Sequence, residues 1–230
     1  MLRMAIAFSQ IGATDCENIG DGLLRQPVNT ISSLAFSGFG VAALISARRF
    51  DGVERPIRQI FGWLMIATGV GSFLFHGPQW PFSHFLHDIT FLTTLWFIAM
   101  ANITVAGRLR HAVGRNVFLV GSAAIAATLL ILPDSTNVLM VATVIALVAG
   151  DIVARRRGNI GGRSYTTALV LVALALALNI LGRTGGPWCD TDSLLQGHSA
   201  WHVLGAAALY IYFMATSGAR TKGAAERLTS

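Results

Sequence analysis

The chain has 230 residues, 53% of them hydrophobic and 12% charged, with a net charge of +6 and a mean hydropathy of +0.60. A soluble domain carries about twice that charge, so a soluble fold is excluded, and the long apolar blocks read as spans of an all-α, polytopic membrane protein. The basic residues lie in short loops between those blocks and no nucleic-acid motif is present, so nucleic acid is excluded as a partner.

Residues 1–27 form a polar outer segment with Asp15, Cys16, Glu17, Asp21 and Gln26, closing on Pro27. The apolar run 4–8 behind Arg3 is too short for a secretory signal, and no cleavage site follows it. Apolar periodicity predicts seven spans, at about 28–47, 59–76, 85–106, 116–132, 137–153, 165–182 and 199–217. A basic loop with Arg48, Arg49, Arg55 and Arg58 follows the first span, and a tight turn with Gly77, Pro78, Trp80 and Pro81 follows the second. Arg108, Arg110 and Arg115 follow the third span, and Arg155, Arg156, Arg157 and Arg163 the fifth. Residues 218–230 make a basic tail, and 1–230 reads as one domain without internal repeats. Fourteen of the 17 Lys and Arg residues then fall on one side, which places the N-terminus outside and the C-terminus in the cytoplasm. Five of the six histidines fall on the outer side.

His198 and His202 are four apart, so on a helix they share one face, a spacing that lets two imidazoles bind one metal ion. His76 ends the second span on the same side, and Ser72 lies one turn deeper on its face. Three histidines with an open fourth position form a catalytic zinc pattern. Other readings stand beside this one. His76 reads equally as an interfacial histidine, and Ser72, next to Gly71, as a small residue for close helix packing. Asp88, about a turn inside the third span, needs a polar cavity, a partner or a metal. His84 and His87 flank it as interfacial residues, with His87 the alternative ligand. Asp151 beside Arg155 reads as a structural ion pair. Cys16 and Cys189 both lie outside, where a pair reads as a disulfide tying the first segment to the loop before the seventh span.

Three blocks together resemble the alkaline ceramidase family, part of a wider group of seven-span membrane hydrolases that includes the adiponectin-type receptors. The first is Cys16-Glu17 followed by Gln26-Pro27-Val28-Asn29-Thr30 and Ser32-Ser33. The second is Gly69-Val70-Gly71-Ser72 and His76, with Asp88 downstream. The third is Cys189 followed by Gln196-Gly197-His198-Ser199-Ala200-Trp201-His202. The resemblance implies zinc on His76, His198 and His202, with Ser72 and Asp88 as polar partners. It implies hydrolysis of the amide of ceramide, or of a related membrane lipid, to a sphingoid base and a fatty acid. It also implies calcium held by acids of the first segment: Glu17 matches one such position, and Asp15 is a candidate that lies adjacent to Cys16, where the family's acid lies a residue earlier. The chain departs from the family at Gln26, where a Glu is usual, and losing a carboxylate weakens a hard-cation site. The gap from His76 to Asp88 is also one residue longer than in the family.

The expected chemistry is that of an intramembrane zinc amidase. Zinc makes water acidic near neutrality and polarises the scissile carbonyl. Asp88 accepts the water's proton and passes it to the leaving amine, and Ser72 donates to the oxyanion. A zinc-containing receptor or sensor on the same scaffold is the alternative, and a haem protein using His76 with His198 or His202 is a third. The compact, Arg-rich chain points to a bacterial inner membrane, with the site toward the periplasm.

Overall fold

The computed structural model describes residues 11–106, 109–157 and 162–226, and all of their regular structure is helical. The helices are α1 (Pro27–Ala47), α2 (Glu54–His76), α3 (Ser83–Val105), α4 (His111–Ile131), α5 (Thr136–Arg156), α6 (Arg163–Leu181) and α7 (Gly197–Glu226). A 3-10 turn, Pro133–Ser135, joins α4 to α5. Six helices, α1 to α6, are long and apolar enough to cross a membrane, the build of a multi-pass membrane protein.

Each of the seven apolar blocks of the sequence is a helix, but several helices outrun their blocks. α2 starts at Glu54 rather than near 59, because Glu54 and Arg58 pair across one helical turn at 2.9 Å. Arg58 is therefore no loop residue. It is buried, its Nη1 meets Ser46 on α1 and the Met214 sulfur on α7, and its guanidinium lies 3.6 Å from the centre of the Phe50 ring.

α3 packs on α2, α4 and α5, while α7 packs between α1 and α6. Phe36, Phe61, Met65, Leu95, Ile98 and Phe213 fill the space between α1, α2, α3 and α7, and the Phe61 and Phe213 rings stack 3.9 Å apart. Val120, Ile131 and Val138 are exposed apolar residues on the outer helices, as a bilayer-facing surface requires. Successive helices alternate in direction. The start of α1, the end of α2, the starts of α3 and α5, the end of α6 and the start of α7 therefore meet at one end of the bundle. At the other end Asp151 of α5 accepts the hydroxyls of Tyr165 on α6 and Tyr212 on α7, each at 2.9 Å. Asn102 of α3 donates to the Tyr212 oxygen at 2.6 Å. Arg155 reaches the Tyr165 hydroxyl at 3.1 Å, and no direct Asp151–Arg155 ion pair occurs among the described residues, so the tyrosine stands between them.

α1 and α2 cross at two glycines. A Cβ on Gly40 would lie 2.6 Å from the Gly62 carbonyl oxygen, which is backbone and cannot move aside. Gly38, half a turn away, faces open space. Gly40→Leu is therefore expected to destabilise the fold by about 1–3 kcal/mol, as overpacking does. Gly38→Leu should leave the melting temperature unchanged. Thermal unfolding of the two variants in detergent checks the crossing, and equal melting temperatures would contradict it.

Candidate metal centre

Local sequence sets the depth of each histidine. His76 is the last residue of α2, which stops there because Gly77, whose N–H still takes the Phe73 carbonyl at 2.8 Å, has ψ −101°, outside the helical range. Ser72 precedes it by one turn on the same face. α7 opens at Gly197, so His198 and His202 occupy its first two turns. Gly197 also lets α7 approach the end of α6: a Cβ there would stand 2.8 Å from the Gly182 Cα.

These elements bring His76, His198 and His202 together, with one ring nitrogen from each within 4.8 Å of the others. The ring centres are 4.9, 5.1 and 4.5 Å apart for the pairs 76–198, 76–202 and 198–202. Each Nδ1 has a polar partner behind it. His76 Nδ1 meets Gln26 Oε1 at 2.8 Å, His198 Nδ1 meets Asn179 Oδ1 at 2.9 Å, and His202 Nδ1 meets Ser32 Oγ at 3.0 Å. The Gln26 amide is oriented by its own donors, since its Nε2 gives hydrogen bonds to the Gly12 and Glu17 carbonyls. His76 therefore carries its proton on Nδ1 and turns a lone pair outward from Nε2. The amide oxygen of Asn179 sets the same tautomer in His198.

The Nε2 atoms of His76 and His198 are buried without any hydrogen-bond partner. Buried polar atoms are almost always paired, so two orphans facing a third imidazole mark a place where an electron-pair acceptor could sit. Neutral imidazoles, each fixed by a partner on its far nitrogen, are the donor set zinc takes, and the residues present fit that ion. His76 is fully buried, which rules out a snorkelling interfacial role. Of the pair Gly71-Ser72, the glycine does the packing, with the Leu86 carbonyl 2.7 Å from where a Cβ would be. Ser72 instead faces the centre, its Oγ 3.3 Å from His202 Nε2.

Asp88 is buried and belongs to a neighbouring cluster. Its Oδ1 lies 2.8 Å from His87 Nδ1 and its Oδ2 lies 3.3 Å from His84 Nε2, and Thr136 donates to Oδ2 from α5. The His87 ring is 6.2 Å from the His76 ring, edge to face, and stacks on Phe75. His87 thus links Asp88 to the three-histidine centre.

Residues 11–26 form a strap of turns over this end of the bundle. Its backbone bonds to the α2–α3 turn through Arg25 N–H to Gly77 O at 3.1 Å and Gln26 N–H to His76 O at 3.0 Å. It bonds to the α6–α7 loop through Thr184 N–H to Thr14 O and Asn18 N–H to Thr191 O, both at 3.1 Å. The Cys16–Cys189 disulfide adds a covalent tie, as the placement of the two cysteines predicts. Asp15 comes within 3.6 Å of His198 Nδ1, and burial pushes its carboxyl above the usual range against the pull of His87 and Arg183. Glu17 caps α1 across the chain. Its two oxygens accept the Val28 and Asn29 N–H groups at 2.7 and 2.8 Å, so two N–H groups that no helical carbonyl can take are satisfied. Burial pushes the Glu17 carboxyl up, opposed by those two N–H groups.

Four residues of the centre carry only a faint sequence signal. Asn179 is a lone amide in an apolar span, which is itself a marker. Ser32 is one of two adjacent serines, Gln26 reads as a missing carboxylate, and His87 reads as interfacial.

Comparison of the chain with protein-family models, with curated proteins and with solved structures finds no match. The reading of the centre therefore rests on its own geometry.

Proposed function

We propose that this chain is a seven-span membrane hydrolase that cleaves the amide of ceramide or a related lipid, with zinc held by His76, His198 and His202. The observation that carries the reading is the convergence of three imidazoles whose far nitrogens are each fixed by Gln26, Asn179 or Ser32. A third ligand also separates this centre from haem ligation, which uses two axial histidines. The packing of the 30-residue α7 between α1 and α6 supports a seventh span. The arginine distribution supports a cytoplasmic C-terminus and a centre facing the periplasm of a bacterial inner membrane.

When bound, zinc supplies Lewis acidity toward water and the scissile carbonyl. Ser72 Oγ, beside His202 Nε2, is placed to donate to the oxygen on which charge develops. His87 is the proton carrier, and Asp88 positions it by accepting at Nδ1, with Thr136 and His84 steadying the carboxylate. The strap covers the centre at the membrane surface, so the lipid reaches it sideways. Support for that route comes from α6, which packs along α7 and whose described hydrogen bonds to α5 lie at the far end, on Tyr165.

The test is turnover of N-acyl sphingoid bases by zinc-loaded protein in lipid nanodiscs. Equal amounts of sphingoid base and fatty acid are expected. Ser72→Ala should lower kcat by about 100- to 1,000-fold at unchanged zinc content. Full zinc occupancy without turnover of any lipid amide would replace the hydrolase by the sensor reading.

A further inference from the structure

Gln26 stands where three parts of the molecule meet, and it is fully buried. Its Oε1 accepts from His76 Nδ1 at 2.8 Å, while its Nε2 donates to the carbonyl oxygens of Gly12 and Glu17, each at 2.9 Å. One side chain thus joins the backbone of the strap, at two points, to a metal-ligating histidine.

Two carbonyl oxygens beside a carboxylate are the ligand types a hard cation takes. Here their lone pairs face N–H groups instead. The carbonyls receive the Gln26 amide, and the Glu17 carboxylate receives the first N–H groups of α1. Gly12 sits at φ 75°, and a Cβ on it would overlap the Gln26 amide, so backbone and amide meet with no room between them. Asp15, the other carboxylate of the strap, takes the Thr14 hydroxyl at 3.2 Å and lies against His198, so one carboxylate is left without the oxygens that would complete the cage of the calcium ion the family resemblance implies.

We propose that Gln26 is a positioning residue that locks the strap onto His76 with its amide in place of a cation, so that this metal centre is held independently of calcium. The amide does what a bridging ion would do, drawing two carbonyls inward, and it also fixes the ligand tautomer. A carboxylate at this position keeps the acceptor for His76 but turns lone pairs toward the Gly12 and Glu17 carbonyls. A proton or a cation would relieve that repulsion, so at a pH high enough to ionise the new carboxyl Gln26→Glu should create the calcium dependence that the natural chain lacks.

The experiment uses the full-length protein in buffers stripped of calcium on chelating resin, with metal contents and thermal unfolding followed from zero to about 10 mM calcium. That range exceeds the ~1 mM needed by weak extracellular sites. The natural chain should retain no calcium, and its melting temperature and zinc content should stay flat. Gln26→Glu should melt several degrees lower without calcium and recover at least half of the loss with it. Gln26→Leu should bind zinc about 10- to 100-fold more weakly, the usual effect of losing a partner behind a metal-bound histidine, and calcium should not rescue it. If Gln26→Glu does not fold, the natural chain and Gln26→Leu decide between them. Stoichiometric calcium in the natural chain, or a melting temperature that rises with calcium, would overturn the proposal. Zinc affinity unchanged in Gln26→Leu would overturn the positioning role. The melting readouts need neither zinc nor turnover, so they hold even if the hydrolase reading fails.

Discussion

Replacing His198 and His202 together by alanine is expected to take the purified protein from about one zinc per chain to none. The two rings supply two of the three converging nitrogens, and both are held by hydrogen bonds to Asn179 and Ser32. Losing a single partner behind a ligand already weakens metal binding about 10- to 100-fold, and losing two ligands must weaken it further. Stability should follow occupancy, because an ion that binds only the folded state stabilises it by about 4 kcal/mol when its free concentration is 1,000 times Kd. The natural chain should therefore melt lower after zinc removal, whereas the double variant should melt at one temperature with or without zinc. Elemental analysis beside thermal unfolding reads both effects. A folded natural chain without zinc, after growth and purification with the metal supplied, would sink the centre.

His87→Asn is expected to lower kcat on a lipid amide by about 100- to 10,000-fold, the usual contribution of a positioned proton carrier, at unchanged zinc content. Asp88→Asn should show a loss of the same order, because its carboxylate acts through the 2.8 Å contact to His87 Nδ1. An amide there would offer either a donor or a weaker acceptor to that nitrogen and so misdirect the ring. The double variant should be little worse than either single one, since residues that act as a unit lose their effect together. If Asp88 acted on the reacting water directly, His87→Asn would stay near natural activity while Asp88→Asn lost it. Parallel kcat and zinc measurements on the three variants separate the two arrangements.

The strongest signals in the sequence were periodic or topological. Helical spacing puts His198 and His202 on one face, and alternation of the helices brings His76 to the same end, where the structure joins the three. The cysteine pair was readable for the same reason, as both residues fall on one side of the helical bundle. What escaped depends on side-chain direction. Asp88 was read as needing a polar cavity, a partner or a metal, and its oxygens do find partners, but a one-dimensional pattern does not tell that these are His87, His84 and Thr136. Glu17 was read, through the family resemblance, as a calcium ligand. In the structure its carboxylate caps a helix that starts eleven residues on, a contact that needs the strap to be folded before it can be seen. Asp151 and Arg155 have helix-pair spacing, but the Tyr165 hydroxyl, contributed by the next helix, comes between them.

The tie between Cys16 and Cys189 spans 173 residues of chain, three-quarters of the 230-residue protein. In synthesis the first thiol leaves the ribosome long before the second, by roughly 10–35 s at 5–20 residues per second. Through that interval six helices can insert while the strap has no covalent anchor. His198 and His202 follow Cys189 by about a dozen residues, so the proposed metal ligands and the second thiol arrive almost together. Closure of the cover and completion of the centre are thus late, near-simultaneous events in the life of the nascent chain. A polypeptide truncated before the last loop would be left with one histidine of the three and an unpaired cysteine, a state that a thiol-reactive quality-control system can recognise.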